Sequence, residues 1–118
     1  MGMNFVSTVL AILLIVVCVA SAIMDFRKPE QLVEQMKKLK VPADRLPLLG
    51  AIKIAGAIGL AIGFQKVRLG ELAGICLALY FAIAVVTHTR VKDSVKDTLP
   101  AFMLCVMSLL YVLTTVAK

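Results

Sequence analysis

The sequence lacks most of the residue sets with which soluble enzymes carry out chemistry. It has no tryptophan and one histidine, His88, in 118 residues. A single histidine without Cys, Asp or Glu at ligand spacing predicts no metal site, and it excludes the bis-histidine ligation of a membrane cytochrome. The glycines form neither a phosphate-binding loop nor a nucleophile elbow. These absences argue against metal, haem and nucleotide chemistry and leave any cofactor unknown.

Cysteine is also scarce, and its positions favour packing over chemistry. Cys18, Cys76 and Cys105 all lie within apolar stretches and form no CxxC pair. Buried cysteine usually acts as a small hydrophobic side chain, and we expect that role here. Cys18 and Cys105 are predicted at similar depth near the same side of a membrane, so a redox pair stays an alternative.

Apolar residues are what the sequence has in abundance. They make up 61% of the chain, and the mean hydropathy is +0.98. Four apolar runs of 18 to 20 residues account for this excess, and each is long enough to cross a bilayer as a helix: 5–24, 46–64, 69–87 and 99–116. We therefore predict an all-α polytopic membrane protein, a four-transmembrane-helix bundle forming one domain over 1–118.

The first run has one alternative interpretation. Its Ala20-Ser21-Ala22 resembles a signal-peptidase site. However, no basic residue precedes the run, and its length exceeds the usual 7–15 residues of a signal-peptide core. We expect it to be retained as a span, with the hydroxyl of Ser21 bonded to its own helix.

The basic residues concentrate in the connections between the runs and predict a topology. The formal net charge is +6. Nine lysines and arginines lie in the first and third connections, against three in the second connection and at Lys118. Because basic loops stay in the cytoplasm, loops one and three are predicted to be cytoplasmic and both termini outside. Membrane lipid, and not nucleic acid, is the expected partner of this charge.

The first loop carries a periodic pattern over 29–40. Leu32, Val33, Met36 and Leu39 fall on one helical face, and Pro29 suits a first helical turn. The segment is too short and too charged to span, so we predict an amphipathic helix lying in the interface with its apolar face toward lipid. A solvated loop is the alternative.

Small residues recur every four positions in the second and third runs. Small side chains let helix backbones approach closely within lipid, so the two stripes predict a close-packed hairpin or an oligomer contact. The predicted packing residues are Ala51, Ala55, Gly59 and Gly63, followed by Gly70, Gly74, Ala78 and Ala82.

Lys53 is the one charged residue inside the second run. We expect it about 10 Å inside the membrane, from the helical rise, where a lysine costs about 2.5–3.5 kcal/mol on insertion scales. Its side chain either snorkels to the cytoplasmic interface or faces the bundle interior. It lies nearly opposite the small-residue stripe. If the stripe faces the third span, Lys53 therefore faces the first and fourth spans; if the stripes instead mediate oligomer contacts, Lys53 faces inward.

The third run ends in a second polar group. His88, Arg90 and Asp93 follow Tyr80 toward the cytoplasmic side, in the same leaflet as Lys53, and Arg90 and Asp93 are spaced to pair. Histidine changes charge near neutral pH, which gives this corner acid–base capacity. The ligand-binding candidates are Lys53, Tyr80, His88, Arg90 and Asp93; catalytic residues stay unknown, and no metal is expected.

The chain resembles the DoxX-like family of small four-span membrane proteins. The resemblance lies in 39–42, in 46–60 around Lys53, in 70–74 and in the His88-x-Arg90-x-x-Asp93 ending. It implies a four-helix bundle in a bacterial cytoplasmic membrane and marks Lys53, His88, Arg90 and Asp93 as pocket residues. Some relatives are linked to quinone-coupled sulfur oxidation or to thiol and oxidative-stress complexes, and animal relatives assist receptor assembly. Relatives often carry an acidic residue where this chain has Lys53.

Three hypotheses for function follow. The first is an accessory subunit of a redox or stress-response system that binds a lipophilic small molecule, quinone-like or lipid. The second is a membrane-embedded acid–base enzyme using His88, Asp93 and Lys53. The third is a chaperone-like helper whose glycine stripes bind a membrane protein partner or a second copy of the chain.

Overall fold

The computed structural model describes residues 4–116, apart from the side chain of Ala43. Within this range the chain forms five α-helices and a short 3-10 helix, Ala43–Arg45, before the third of them. The all-α fold class is therefore confirmed. The helices are α1 (Phe5–Arg27), α2 (Glu30–Lys38), α3 (Leu46–Ile62), α4 (Val67–Arg90) and α5 (Val95–Val116).

The helix ends differ from the predicted ones where local capping extends a helix. α1 starts after Asn4, whose side chain accepts a hydrogen bond from the backbone N–H of Ser7 at 2.8 Å. At its other end α1 continues past residue 24 and includes Asp25. α5 begins at Val95, so Pro100 lies inside this helix, although the sequence predicted it at the start. Ser94 explains the earlier start, because its hydroxyl accepts a hydrogen bond from the N–H of Asp97 at 3.1 Å.

The four long helices form a ring in which each packs against two others. α1 contacts α3 and α5, and α4 contacts the same two helices. At one end of the ring, the Asn4 amide donates a hydrogen bond to the carbonyl of Thr114 at 3.2 Å, which places the start of α1 beside the end of α5. The α3–α4 turn lies at this end too, because Gly63 contacts Gly70 and Tyr111 there. We call this end the terminal end, and the opposite end, which carries α2, the α2 end.

Three of the helices are long and apolar enough to cross a membrane. These are α1, α4 and α5, while α3 is apolar but has 17 residues. Large hydrophobic side chains are exposed along the outside of the bundle, for example Leu79 and Ile83 of α4. Exposed apolar surface of this extent is typical of a lipid-facing surface. Lys118, which counted toward the predicted topology, lies outside the described residues.

Glycine brings α3 and α4 together toward the terminal end. A Cβ atom on Gly63 would lie 2.6 Å from the Cα of Gly70, and one on Gly59 would lie 2.6 Å from the Cβ of Ala73. Gly56, which does not belong to the predicted stripe, packs against the side chain of Leu77. The two helices therefore touch through their backbones over about two turns.

The remaining stripe residues do not take part in that contact. Ala51 and Ala55 are exposed, because a step of four residues turns about 40° beyond a full helical turn and carries the stripe around α3. Gly74 faces α5, where an added Cβ would lie 2.7 Å from Val112, and the carbonyl of Ala78 accepts a hydrogen bond from the thiol of α5 Cys105. The half-buried Ala82 continues this helix.

α2 packs on the bundle itself, which differs from the predicted position with its apolar face toward lipid. It begins after Pro29 and ends at Lys38, and Met36 and Leu39 on its apolar side are buried. These side chains cover a cavity that the long helices leave unfilled between them. Burial in this cavity removes the apolar face of α2 from solvent, so the helix does not need lipid to cover it.

Candidate functional site

A cavity of about 470 Å³ lies at the α2 end of the bundle, and all five helices contribute side chains to its lining. Its size falls within the range of small-molecule sites. Much of the wall is apolar, including Met36, Leu46 and Phe81. Polar side chains from several helices also line it, and four of them, from α1, α3 and α4, make it the candidate site: Asp25, Lys53, Tyr80 and His88.

Lys53 forms an ion pair inside the protein. Its Nζ lies 2.9 Å from Oδ2 of Asp25, and it donates a second hydrogen bond to the Ser21 hydroxyl at 2.8 Å. Lys53 is 8% exposed and Asp25 is 3% exposed, so neither charge is in water. The lysine therefore faces the first span, and it does not snorkel to the interface.

The sequence prediction missed Asp25. It lay just beyond the predicted end of the first span, and Ser21 was expected to bond to its own helix. The spacing of these two residues was the available signal, because positions four apart on a helix share a face. Asp25 therefore supplies the carboxylate in the cavity, and it comes from α1.

Tyr80 lies on the other side of Lys53. The ammonium nitrogen is 5.8 Å from the centroid of the Tyr80 ring, within the range of a cation–π contact. An ammonium group carries three N–H donors. Among the described residues, two of them have hydrogen-bond acceptors, in Asp25 and Ser21. The third donor is available to an acceptor in the cavity.

His88, also buried, belongs to a second polar cluster. Its Nδ1 is 2.7 Å from Oδ2 of Asp93, and Oδ1 of the same carboxylate is 2.6 Å from Nζ of Lys38. The Asp93 side chain is 0% exposed. We call this arrangement the latch, since it joins α2, through Lys38, to the end of α4. Asp97 of α5 adds a longer contact with Lys38, at 3.7 Å.

The latch keeps Asp93 ionised. The hydrogen bonds from Lys38 and then His88 lower the pKa of the Asp93 carboxyl from 3.8 to about 2. The same hydrogen bond, with the attraction of the Asp93 charge, raises the pKa of Lys38 above 10.5. Arg90, the expected partner of Asp93, is instead an exposed residue at the end of α4. Lys38 takes that place because α2 folds back over the bundle.

The structure thus brings together three of the five predicted ligand-binding candidates at one cavity. Lys53, Tyr80 and His88 line the cavity. Asp93 does not line it but forms a hydrogen bond with His88. Arg90 lies outside the cavity. Lys53 and His88 do not bond to each other. The hydrogen bond to Asp93 fixes one ring nitrogen of His88 and leaves the other for a second partner. The cavity can therefore offer a ligand an N–H donor from Lys53 and a ring nitrogen from His88.

Glu71 lies near the start of α4, toward the terminal end. In the described part of the chain it forms no ion pair, and its buried Oε2 has no hydrogen-bond partner. It lies on α4 close to the contact between Gly70 and Tyr111. This carboxyl group is far from the cavity and does not contribute to the candidate site.

Comparison with known proteins agrees with the resemblance seen in the sequence. The model of the DoxX-like family matches residues 9–111, a range that includes every residue of the cavity and of the latch. Comparison with curated proteins and with solved structures gives no match. With its long apolar helices, the chain is an integral membrane protein, and it belongs to the DoxX-like family.

Proposed function

We propose that this protein crosses the membrane four times and binds a lipophilic small molecule, quinone-like or lipid, in the cavity at the α2 end. It would serve as an accessory subunit of a redox or stress-response system in a bacterial cytoplasmic membrane. The single observation that carries the proposal is the apolar cavity into which Lys53, Tyr80 and His88 converge. Apolar walls with a few convergent polar groups are typical of small-molecule sites.

α3 is the fourth span in this proposal. Its 17 residues span about 25 Å, somewhat less than the hydrocarbon core. However, it packs in the ring between α1 and α4, and it reaches the Gly63–Gly70 contact at the terminal end. The 3-10 helix Ala43–Arg45 before it adds length. The bundle is 43 Å along its longest axis, close to the thickness of a bilayer with its head groups.

The distribution of basic residues supports placing the α2 end in the cytoplasm. A cysteine at Lys38, in a background without the three native cysteines, tests this orientation. An impermeant maleimide should label it in inverted membrane vesicles and leave it unlabelled in intact cells. Labelling from outside intact cells would reverse the assignment.

The charges of the cavity favour an uncharged head group on the ligand. Lys53 and Asp25 form a neutral pair, so an anionic or cationic ligand would have to compete with a partner that is already bound. A carbonyl or hydroxyl oxygen, in contrast, can accept the third N–H of Lys53 without breaking the pair. Both a quinone and a neutral lipid carry such an oxygen.

Native mass spectrometry of protein released gently from membranes tests the proposal. The informative variant changes both charges, Asp25→Leu with Lys53→Met, since this avoids leaving one buried charge unpaired. Lys37→Met is the control, because Lys37 is exposed and its ammonium pairs, among the described residues, with Glu34 of the same helix at 3.6 Å. We expect a discrete adduct on the wild type and the control that is lost from the double variant. Equal adducts on all three proteins, or none on any, would contradict the proposal.

One observation favours an acid–base enzyme as the second candidate. A carboxylate that orients a histidine, as Asp93 does with His88 at 2.7 Å, is common in acid–base catalysis. The test is turnover of the molecule that co-purifies with the protein, measured against pH for the wild type and His88→Gln. Turnover that is unaffected by His88→Gln would exclude this candidate and leave ligand binding alone.

A further inference from the structure

We infer that the ligand enters this cavity sideways from the bilayer, between α3 and α4, and that its apolar tail stays in that gap when the head group is bound. This inference rests on the proposed function for the ligand, but the gap itself can be tested without one. We call the gap the α3–α4 opening. It has a volume of about 280 Å³. One lining residue, Leu49, belongs to α3, and three come from α2 and the segment after it: Met36, Leu39 and Val41. The others belong to α4: Tyr80, Ile83, Ala84, Thr87 and His88.

The opening lies beyond the point where the glycine contacts between α3 and α4 end. Their backbones are closest at Gly63 and Gly70, and the last tight contact toward the α2 end is that of Gly56 with Leu77. Leu49 lies two turns before Gly56. At the level of Leu49, larger side chains of α3 and α4 face each other, and no glycine there lets the two backbones approach. A close contact near one end of two rigid helices, with bulkier residues toward the other, makes them diverge.

The opening and the main cavity are adjacent. Six residues line both spaces, so only their side chains separate the two: Met36, Leu39, Leu49, Tyr80, Ala84 and His88. At the outer edge of the opening lies Ile83, which is 66% exposed on the apolar surface of α4. At its inner edge lies Tyr80, whose ring is next to the ammonium of Lys53. The route that we infer therefore runs past these shared side chains, from the apolar surface of α4 to the polar end of the site.

The chemistry along this path changes from apolar to polar in the inward direction. The outer part presents Ile83 and Leu49, and the inner part presents the third N–H of Lys53. α2 covers the path from above with Met36 and Leu39, and the latch holds α2 in place through Lys38. This gradient fits an amphiphile with one uncharged oxygen-bearing head and a single apolar tail, taken directly from the bilayer. It does not fit a water-soluble molecule arriving through α2.

The absence of tryptophan allows a direct test with single-tryptophan reporters. Phe81 lines the main cavity, is 4% exposed and is not part of the α3–α4 opening. Phe81→Trp therefore places the reporter beyond the opening, and Leu79→Trp, at a position 61% exposed to lipid, is the reference. Both variants are reconstituted in vesicles of phosphatidylcholine with brominated acyl chains, which quench tryptophan on contact. If Phe81→Trp does not fold, Leu104→Trp reports on the same cavity from α5.

Two threonines of α4 provide the blocking variant and its matched control. Thr87 lines the opening and donates a hydrogen bond to the carbonyl of Ile83, whereas Thr89 is exposed, lines neither space and donates a similar bond to Val86. Thr87→Phe should fill the opening, and Thr89→Phe loses the same type of bond without filling it. Each is combined with the Phe81→Trp reporter.

We expect brominated chains to quench Phe81→Trp, Thr87→Phe to remove this quenching, and Thr89→Phe to preserve it. Three outcomes overturn the inference: no quenching of Phe81→Trp while Leu79→Trp is quenched, quenching that survives Thr87→Phe, or quenching lost equally in both threonine variants. Because the quencher is the bilayer lipid, the result does not depend on the native ligand. Quenching as expected without any adduct in mass spectrometry would keep the opening and reject the proposed function.

Discussion

Replacing Lys53 by methionine should destabilise the protein strongly, because it leaves the Asp25 carboxylate buried without its partner. The two side chains are 10% and 4% exposed, and their charged atoms are 2.9 Å apart. Removing one member of a buried ion pair typically costs about 3–5 kcal/mol. Since this pair borders a cavity that water can enter, we expect the lower end, about 3 kcal/mol. That is a shift of roughly 100-fold in the unfolding equilibrium.

The double variant, Asp25→Leu with Lys53→Met, distinguishes the pair from a general packing effect. Two apolar side chains of similar volume carry no desolvation cost, so such replacements are often neutral or stabilising. We therefore expect the double variant to recover most of the stability that Lys53→Met loses. Asp25→Leu alone should be destabilised like Lys53→Met, because it leaves an unpaired ammonium.

Equilibrium unfolding of purified protein by SDS in mixed micelles, followed by circular dichroism, measures these differences. The four proteins form a double-mutant cycle, and its interaction term reports the coupling between the two side chains. Lys37→Met, with an exposed lysine on α2, should unfold like the wild type. A Lys53→Met variant as stable as the wild type, with no coupling to Asp25, would show that Lys53 snorkels to the interface and that the pair does not form.

Three further predictions concern the latch and the glycine contact. Lys38→Met should increase hydrogen exchange of the α2 amides, and Lys37→Met should not, because only Lys38 reaches Asp93. Protection of the α2 amides should fall at both extremes of pH. The lowered pKa of Asp93 gives stabilisation that is lost as the pH falls through about 2, and the raised pKa of Lys38 gives stabilisation that is lost as the pH rises beyond 10.5. Constant protection down to pH 2 would contradict the latch. Gly63→Ala should lower the free energy of unfolding by about 1–3 kcal/mol in the same SDS assay, since its Cβ would lie 2.6 Å from the facing backbone of α4. Its control is Ala55→Val on the exposed face of α3, which should change the free energy of unfolding by less than about 0.5 kcal/mol.

The sequence predicted the helices well, because long apolar runs leave few other structures open to a chain in lipid. It did not identify the partners of the polar side chains. Asp25 and Lys38 became partners of Lys53 and Asp93 through the way α1 and α2 pack at one end of the bundle. That packing depends on contacts across the bundle, and the spacing along one helix does not contain it.

The glycine contact and the cavity have the same physical origin. Residues four apart turn about 40° beyond a full helical turn, so a stripe of small residues can face a neighbouring helix over only about two turns before it moves away. In α3 that contact occupies Gly56 to Gly63, toward the terminal end. The α2 end is therefore left without a glycine contact between α3 and α4, and the cavity between the helices there is lined by Leu49 and Tyr80. The separation creates space that the side chains do not fill, and α2 covers it from above. A longer glycine contact would have closed the space beside Lys53. It follows that extending the contact by design, with glycine at Leu49 and at Ala84, should draw the helices together and reduce the space available to a ligand, without changing either member of the ion pair.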